Sequence, residues 1–368
     1  MASIKKRPDG QWRARYRDEA GKEHSRHFAR KIDGQQWLDR VTAAVVTGDY
    51  VDPEAGRVTF NAFFQEWSER QVWVPGTVKA MSLAVRTTTF VEMPIKAIRR
   101  SHVEAWIKAM NAAGLAPGTI NTRFNNVRSV LRAAHRDKLI ASNPSDGVTL
   151  PRRRRAEHAM SIPTPEQIGR LLQVAEPEFR PYIGLCAFAG LRLGEAAALQ
   201  VGDVDFLRRT IHVARQVQRA GGSNVEVRAP KYGFERVVYA PSGLLTMLAR
   251  HVEEREDTEP TTWLFAGSDA NPPHQNTIGH RWRRTCHRAG VQNFSLHSTR
   301  HFYASGLIAA GCDVVTVQRS LGHSTASTTL NTYSHLWPLA EDRTRSAAEA
   351  MMETALTIPA DSLRTQST

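Results

Sequence analysis

At 368 residues with 41% apolar side chains, the chain exceeds the range of a single hydrophobic core; two or three domains are expected, and none needs disulfide or metal staples to fold. Its three cysteines, Cys186, Cys286 and Cys312, form no C-x-x-C pair, and no apolar run approaches the roughly 18 residues of a membrane span, which argues against a disulfide framework, a zinc knuckle and a transmembrane protein. The net charge of +13 is unevenly placed: Lys+Arg against Asp+Glu is 11 against 7 in residues 1–50, 17 against 8 in 51–155 and 21 against 21 beyond, so the excess lies wholly in the front half and points there to nucleic acid as partner.

The N-terminus, MASIKKRPDGQWRAR, carries charge where a signal peptide needs an apolar core, and a reducing cytoplasm is the expected compartment. In QWRARYRDEAGKEHSRHF, Trp12, Ala14 and Tyr16 alternate with Arg13, Arg15 and Arg17, and DEAGK supplies a turn. The period of two puts three arginines on one face of a small sheet, a surface suited to a DNA groove; a solvated charged face is the alternative. A helix follows from Lys31 to Thr47, with Ile32, Trp37, Val41 and Val45 apolar and Gly48 as its stop.

Residues 57 to about 143 read as a helical domain. Ser101 and Glu104 offer a capping box ahead of VEAWIKAM. Pro117 opens a helix whose Ile120, Phe124, Val127 and Leu131 form an apolar stripe, with Arg123, Arg128, Arg132 and Arg136 off it. The segment NPSDGVTLPRRRR breaks the pattern with turn formers and sets Arg152, Arg153, Arg154 and Arg155 in a row, a basic linker able to lie along a DNA backbone; a nuclear-localisation signal or a purely solvating run is the alternative.

Thr164, Pro165 and Gln167 mark the start of a further helix, and RPYIGLCAFAGLRLGEAAAL continues helical. Strands are expected in TIHVARQVQR, NVEVRA and ERVVYA, then a helix from about Pro241 to Arg255, then mostly helix to Leu356. Only the last ten residues or so have the composition of a disordered tail.

Near the end, SLHSTRHF and SLGHSTASTTLNTYSHL gather His297, Arg300, His323 and Tyr333 within 37 residues. Attack on a phosphodiester needs cations on its oxygens, a nucleophile, and an acid for the leaving oxygen. Arg192, Arg300, His297, His323, Lys231 and Tyr333 can fill these posts, the phenol being drawn towards phenolate by the positive charge around it. Lys231 stands out because residues 156–368 contain 20 arginines and this single lysine, at a strand-to-strand turn where a cation able to release a proton has a use; chance survival of one lysine is the alternative. His297 and His301 have the i, i+4 spacing of metal ligands, but HSTRH carries no carboxylate and places Arg300 between them, so no metal is expected. Tyr303 follows the apolar rhythm of FYASGLI and reads as core.

The ordered set Arg192, Lys231, His297-x-x-Arg300, Leu321-Gly322-His323 and Tyr333, in the contexts AGLRLGEAAALQVGDVDF, HSTRHFYASGLIAAGCDVVTVQRSLGHS and TTLNTYSHL, resembles the tyrosine recombinases, the phage integrase family, over about residues 164–337. Thr299 stands where that pattern commonly has Leu, and Tyr232 follows Lys231 where a small residue is more usual. The resemblance implies a multidomain fold. Residues 1–50 would be a small α+β arm-binding domain, a three-stranded sheet plus helix, and residues 57–150 an all-α, SAM-like core-binding domain. Residues 151–163 would be the basic linker, 164–356 a mainly α catalytic domain with a small antiparallel sheet and a C-terminal helix, and 357–368 a disordered tail.

It also implies a site-specific recombinase that cuts and rejoins double-stranded DNA at attachment sites through a 3′-phosphotyrosine and a Holliday junction, as a homotetramer, without cofactor or metal. Arg192 and Arg300 would hold the phosphate, His297 assist proton transfer, Lys231 protonate the 5′ oxygen, His323 support the transition state and Tyr333 attack, with Glu195 supporting the site. Integration or excision of a phage or mobile element is the expected task, with a DNA-bending host factor and a directionality factor as possible partners. A type IB topoisomerase-like or chromosome-dimer-resolving enzyme, and a non-catalytic DNA-binding regulator on this fold, are the alternatives.

Overall fold

A computed structural model of the protein describes residues 2–18, 21–47, 50, 54–151, 161–221, 224–230, 235–267, 271–337 and 340–356. Lys231, the arginines at 152–155 and the tail from 357 fall outside these residues. The chain divides into two compact units, 1–158 and 159–368.

The first unit opens with the antiparallel strands β1 (Ser3–Lys6), β2 (Trp12–Arg17) and β3 (Glu23–Phe28), in that order in the sheet. The alternation read in β2 is realised: Ala14 and Tyr16 are buried, while Arg13, Arg15 and Arg17 pair in register with His27, Ser25 and Glu23 on the open face. Helix α1 (Lys31–Val46) contributes Leu38 to a small core with Ala14 and Tyr16, and Gly34 lets it approach closely, since an added Cβ would stand 2.7 Å from the Ile4 side chain. A second, separate core belongs to α2 (Phe60–Glu69), α3 (Pro75–Arg86), α4 (Arg100–Ala112) and α5 (Pro117–Arg136). The stripe Ile120, Phe124, Val127 and Leu131 is fully inside it; burial of each such side chain stabilises by about 1.5–3 kcal/mol. The capping box differs from expectation. Helix α4 begins one residue before Ser101, and the Arg99 amide donates to His102 Nδ1 at 3.1 Å, so the imidazole takes the place expected of the Ser101–Glu104 pair, and Glu104 instead bonds Arg100.

The second unit comprises α6 (Pro165–Val174), α7 (Arg180–Phe188), α8 (Leu193–Ala197), β4 (Val204–Asp205), β5 (Thr210–Val213), β6 (Gln216–Gly221), β7 (Asn224–Arg228), β8 (Arg236–Tyr239) and α9 (Ser242–Glu253). It continues with α10 (Gln275–Ala289), α11 (Leu296–Ala309), α12 (Val314–Leu321), α13 (Ala326–Tyr333) and α14 (Ala340–Leu356). Thr164 caps α6 reciprocally with Gln167, as the sequence indicates. Strands β4, β5 and β8 form one antiparallel sheet and β6 with β7 another.

Two elements depart from the sequence reading. TIHVARQVQR is two strands, because the chain leaves the first sheet at Val213 and joins the second at Gln216. The helix expected through RPYIGLCAFAGLRLGEAAAL breaks between Phe188 and Leu193 at Gly190, whose φ of +64° is left-handed backbone that glycine adopts without cost. That break places Arg192 at the N-cap of α8. No helix among the described residues is long and apolar enough to cross a membrane.

Candidate active site

The second unit brings Arg192, Glu195, His297, Arg300, His323 and Tyr333 into one cluster, drawn from four places in the chain. The break at Gly190 supplies Arg192 and Glu195. One face of α11 supplies His297, Arg300 and His301, at the i, i+3 and i+4 spacing of a helix. His323 follows Gly322, the left-handed cap of α12 at φ +61°, and Tyr333 is the last residue of α13.

Glu195 is fully buried and anchors the cluster. It accepts from Arg192 Nη1 at 2.7 Å and from the Arg192 amide at 2.9 Å, and takes both ends of the Arg236 guanidinium at 2.7 and 3.1 Å; Arg300 Nη1 lies 4.0 Å away. Burial alone would raise this carboxyl. The hydrogen bonds and charge of Arg236, with Arg192 and Arg300 behind it, overcome that and hold it at about 2.

Main-chain carbonyls take further arginine donors. Arg192 Nη2 donates to Gly322 O at 2.9 Å, Arg236 Nε to Ser320 O at 3.2 Å, and the Arg300 guanidinium to Gly190 O and Leu321 O. Arg300 is 1% exposed, while the Arg192 side chain keeps a quarter of its surface open. Three guanidinium groups thus face a single carboxylate. Among the described residues the cluster carries an excess of two positive charges, an arrangement that suits the arrival of an anion.

Tyr333 is 1% exposed, and its hydroxyl is 2.8 Å from His301 Nδ1. Its ring lies parallel to that of His323, with centroids 6.4 Å apart, and His323 Nδ1 is held by Thr329 Oγ1 at 2.9 Å. The rings of His297 and His301 meet edge to face at 4.8 Å. Proton affinities correct one expectation. Burial raises the Tyr333 phenol, and the charges of Arg300 and Arg192 only partly offset it, so the resting nucleophile is a phenol and not a phenolate. Burial, then Arg300, Arg192 and Arg236, pushes His323 down to about 4. Desolvation within the cluster, then His301, Arg300 and Arg192, lowers His297, although much of that residue's surface remains open. His301 is lowered by burial and by Arg300. All three imidazoles are neutral at neutral pH.

Arg236 and His301 belong to the site although sequence reasoning does not single them out for it. Arg236 looks like an ordinary outward residue of ERVVYA, and only a buried acid needing several cations would call for it. His301 carries a signal in its helical spacing from His297 and Arg300, but that spacing reads as a metal pattern. Tyr303 packs beside the small core that includes Tyr333 and lies over Gly190.

Outside the cluster, Arg13, Arg15 and Arg17 all stand within 4 Å of the Glu23 carboxylate, at 3.8, 3.7 and 3.5 Å. Arg128 pairs with Asp146 at 3.1 Å, and Arg123 is half-buried on α5.

Residues 163–338 match the model of the phage integrase family and residues 77–140 that of the phage integrase N-terminal region, together well over half of the chain. The ICEBs1 integrase of Bacillus subtilis (strain 168) is 24% identical over 261 residues, 68% of this chain and 70% of that protein. The integrase of Mycobacterium phage L5 is 22% identical over 344 residues, 90% of each. Among solved structures, the Tn1549 transposon integrase in complex with a circular intermediate DNA aligns with a TM-score of 0.68 at 20% identity, covering 81% of this chain and 99% of that one. A lambda integrase dimer bound to a COC′ core site gives 0.57 at 15% identity, over 91% and 96%. These two likenesses establish the fold. The chain belongs to the phage integrase family, the tyrosine recombinases.

Proposed function

We propose that this protein is a site-specific DNA recombinase that integrates or excises a mobile element by cutting and rejoining DNA through a 3′-phosphotyrosine. The observation that carries the reading is a buried phenol set beside a cluster with two uncompensated positive charges. A phosphodiester supplies the missing anion and the atom that the phenol attacks. Arg192 and Arg300 hold its non-bridging oxygens, with Glu195 and Arg236 fixing Arg192 in place. His297 and His323 donate or accept hydrogen bonds at the phosphorane, and Lys231 gives its proton to the departing 5′ oxygen. The phosphotyrosine keeps the energy of the broken bond, so rejoining to a new strand needs no nucleotide hydrolysis.

The three-domain division belongs to this reading. Residues 1–50 would grip arm sites through Arg13, Arg15 and Arg17, and residues 57–150 would clasp the core site with Arg123 and Arg128. The arginines at 152–155 would follow the backbone between the domains. Four copies would act on two DNA sites, a number that matches the lambda integrase tetramer bound to a Holliday junction, with α14 packing on a neighbouring copy. A DNA-bending host factor and a directionality factor would complete the assembly in the cytoplasm.

The test is to incubate the protein in EDTA with nicked duplexes tiling the DNA beside its gene, denature, and look for a protein–DNA adduct with wild type and Tyr333→Phe. An adduct that requires Tyr333 is expected. Tight binding with no adduct on any duplex would overturn the reading in favour of a regulator.

A further inference from the structure

The cleavage step leaves one proton to be placed. Tyr333 is a phenol at rest and is 1% exposed, so bulk water does not receive its proton directly. Among the described residues its hydroxyl has one hydrogen-bond partner, His301 Nδ1 at 2.8 Å. The other two imidazoles are placed differently: His323 stacks on the ring face with Nδ1 committed to Thr329, and His297 meets the edge of His301. We propose that His301 is a catalytic residue, accepting the phenolic proton of Tyr333 at Nδ1 as the oxygen attacks phosphorus. This inference rests on the recombinase reading above and adds to it a base for the nucleophile.

The arrangement suits the role in three respects. First, His301 sits on α11 directly after Arg300, so the helix that supplies a phosphate cation also supplies the proton acceptor, and one rigid element sets both distances. Second, the imidazole has a free lone pair at neutral pH, because burial and the Arg300 charge disfavour its cation. The charged and titratable groups that face it are His297 and Arg300 on its own helix and Tyr333 at the end of α13. Third, the imidazolium formed would be half-buried beside the Arg300 cation, so it is driven to give the proton back.

The step balances. The phenolic O–H breaks and its proton passes to Nδ1, while the oxygen forms the P–O bond and the P–O5′ bond breaks. The 5′ oxygen is protonated by the acid, assigned above to Lys231. In rejoining, a 5′ hydroxyl attacks phosphorus and gives its proton to the Lys231 amine left by cleavage, the tyrosine oxygen leaves, and the proton on His301 returns to it.

Single-turnover cleavage of a nicked duplex carrying the core site tests the assignment, with His301→Ala, His301→Asn, Lys231→Ala and Tyr333→Phe beside wild type. His301→Asn keeps a polar atom near the Nδ1 position but cannot hold a proton at neutral pH. Both His301 variants should cleave about 10²- to 10³-fold more slowly. A 5′-bridging phosphorothiolate, whose leaving group needs no acid, should rescue Lys231→Ala and leave the His301 variants slow. Joining of a 5′-hydroxyl strand to a 3′-p-nitrophenyl phosphate end, whose leaving group needs no proton, should separate the roles further: the His301 variants should lose far less there than in cleavage.

Equal loss in cleavage and in nitrophenyl joining would overturn the proposal in favour of a structural role. Wild-type cleavage by His301→Asn would overturn it in favour of positioning alone. A ¹⁵N measurement of the His301 tautomer in the free protein adds an arm independent of DNA. Nδ1 should be unprotonated and should shift in Tyr333→Phe; a protonated Nδ1 would overturn the proposal even if the Tyr333 adduct forms, whereas an absent wild-type adduct with an unprotonated Nδ1 would place the failure in the recombinase reading.

Discussion

Replacing Glu195 by Gln removes the single carboxylate that three buried or half-buried guanidinium groups share. The isosteric amide preserves packing, but it removes the charge and replaces one of two accepting oxygens with an NH2 donor facing arginine donors. Holding the carboxyl at about 2 against an ordinary value of 4.5 corresponds to roughly 3 kcal/mol, at about 1.4 kcal/mol per decade of proton affinity. Breaking a buried ion pair from one side typically costs about 3–5 kcal/mol, which agrees. The assay is hydrogen exchange of peptides spanning α8 and β8, which reads local opening directly in a multidomain chain.

Opening that is about a hundredfold more frequent is expected in Glu195→Gln at pH 7. A lowered carboxyl contributes stability that is present above about pH 4.5 and is lost as pH falls towards about 2. Wild type should therefore lose this protection through that window, and Glu195→Gln should show no such loss. His323, held down at about 4, adds a loss that begins earlier, as pH falls below about 6.5, and is common to both proteins. Exchange in Glu195→Gln within about fivefold of wild type at pH 7 would refute the view that this carboxylate holds the arginines.

Gly190→Ala should cost about 1–3 kcal/mol and lower adduct formation at least tenfold, because a left-handed backbone and a Cβ driven into the Tyr303 ring both displace the carbonyl that holds Arg300; wild-type melting and cleavage would contradict this. Replacing Arg13, Arg15 and Arg17 by Gln should flatten the salt dependence of arm-site binding by about 0.9 log-log unit for each phosphate that is no longer neutralised, while Tyr333-dependent cleavage of core sites persists. Glu23→Gln should act in the opposite sense, tightening arm-site binding, since it frees the three arginines that converge on this carboxylate. An unchanged salt slope in the triple variant would remove the β2 face from the DNA grip.

Much of the site is legible in the sequence because its chemistry demands residue types that are unusual together. Arg192, Glu195, His297, Arg300, His323 and Tyr333 can be picked out from motif and order, and the structure gathers them. Periodicity likewise reveals the two faces of β2 and the buried stripe of α5, since both follow from one side of an element meeting a core. What cannot be read there depends on tertiary partners. The apolar run through RPYIGLCAFAGLRL suits a helix locally, and the docking of Tyr303 and Arg300 on Gly190, which accompanies the break there, has no local signature. The switch of sheets after Val213 has no local signature either. The phenol's resting state departs from expectation for a related reason: nearby charge is visible in the motif, but burial, which outweighs it, is not. His102 displaces the expected capping pair at α4 because several residues near a helix start can satisfy the same amides.

The carbonyl acceptors at Gly190, Ser320, Leu321 and Gly322 have a consequence for how such a site can change. A side-chain acceptor is deleted by one substitution, whereas a peptide oxygen survives every substitution that leaves its φ and ψ alone. The part of the grip on Arg192, Arg236 and Arg300 that Glu195 does not supply is therefore written in the path of two short backbone turns. Neighbouring side chains can be exchanged for packing or for DNA contact without unseating the guanidinium groups. Two left-handed glycines, Gly190 and Gly322, are the positions where that freedom ends: at Gly322 even a methyl group would come within 2.8 Å of the Arg236 guanidinium. An engineer seeking new DNA specificity on this scaffold would vary the surface freely and leave those two turns alone.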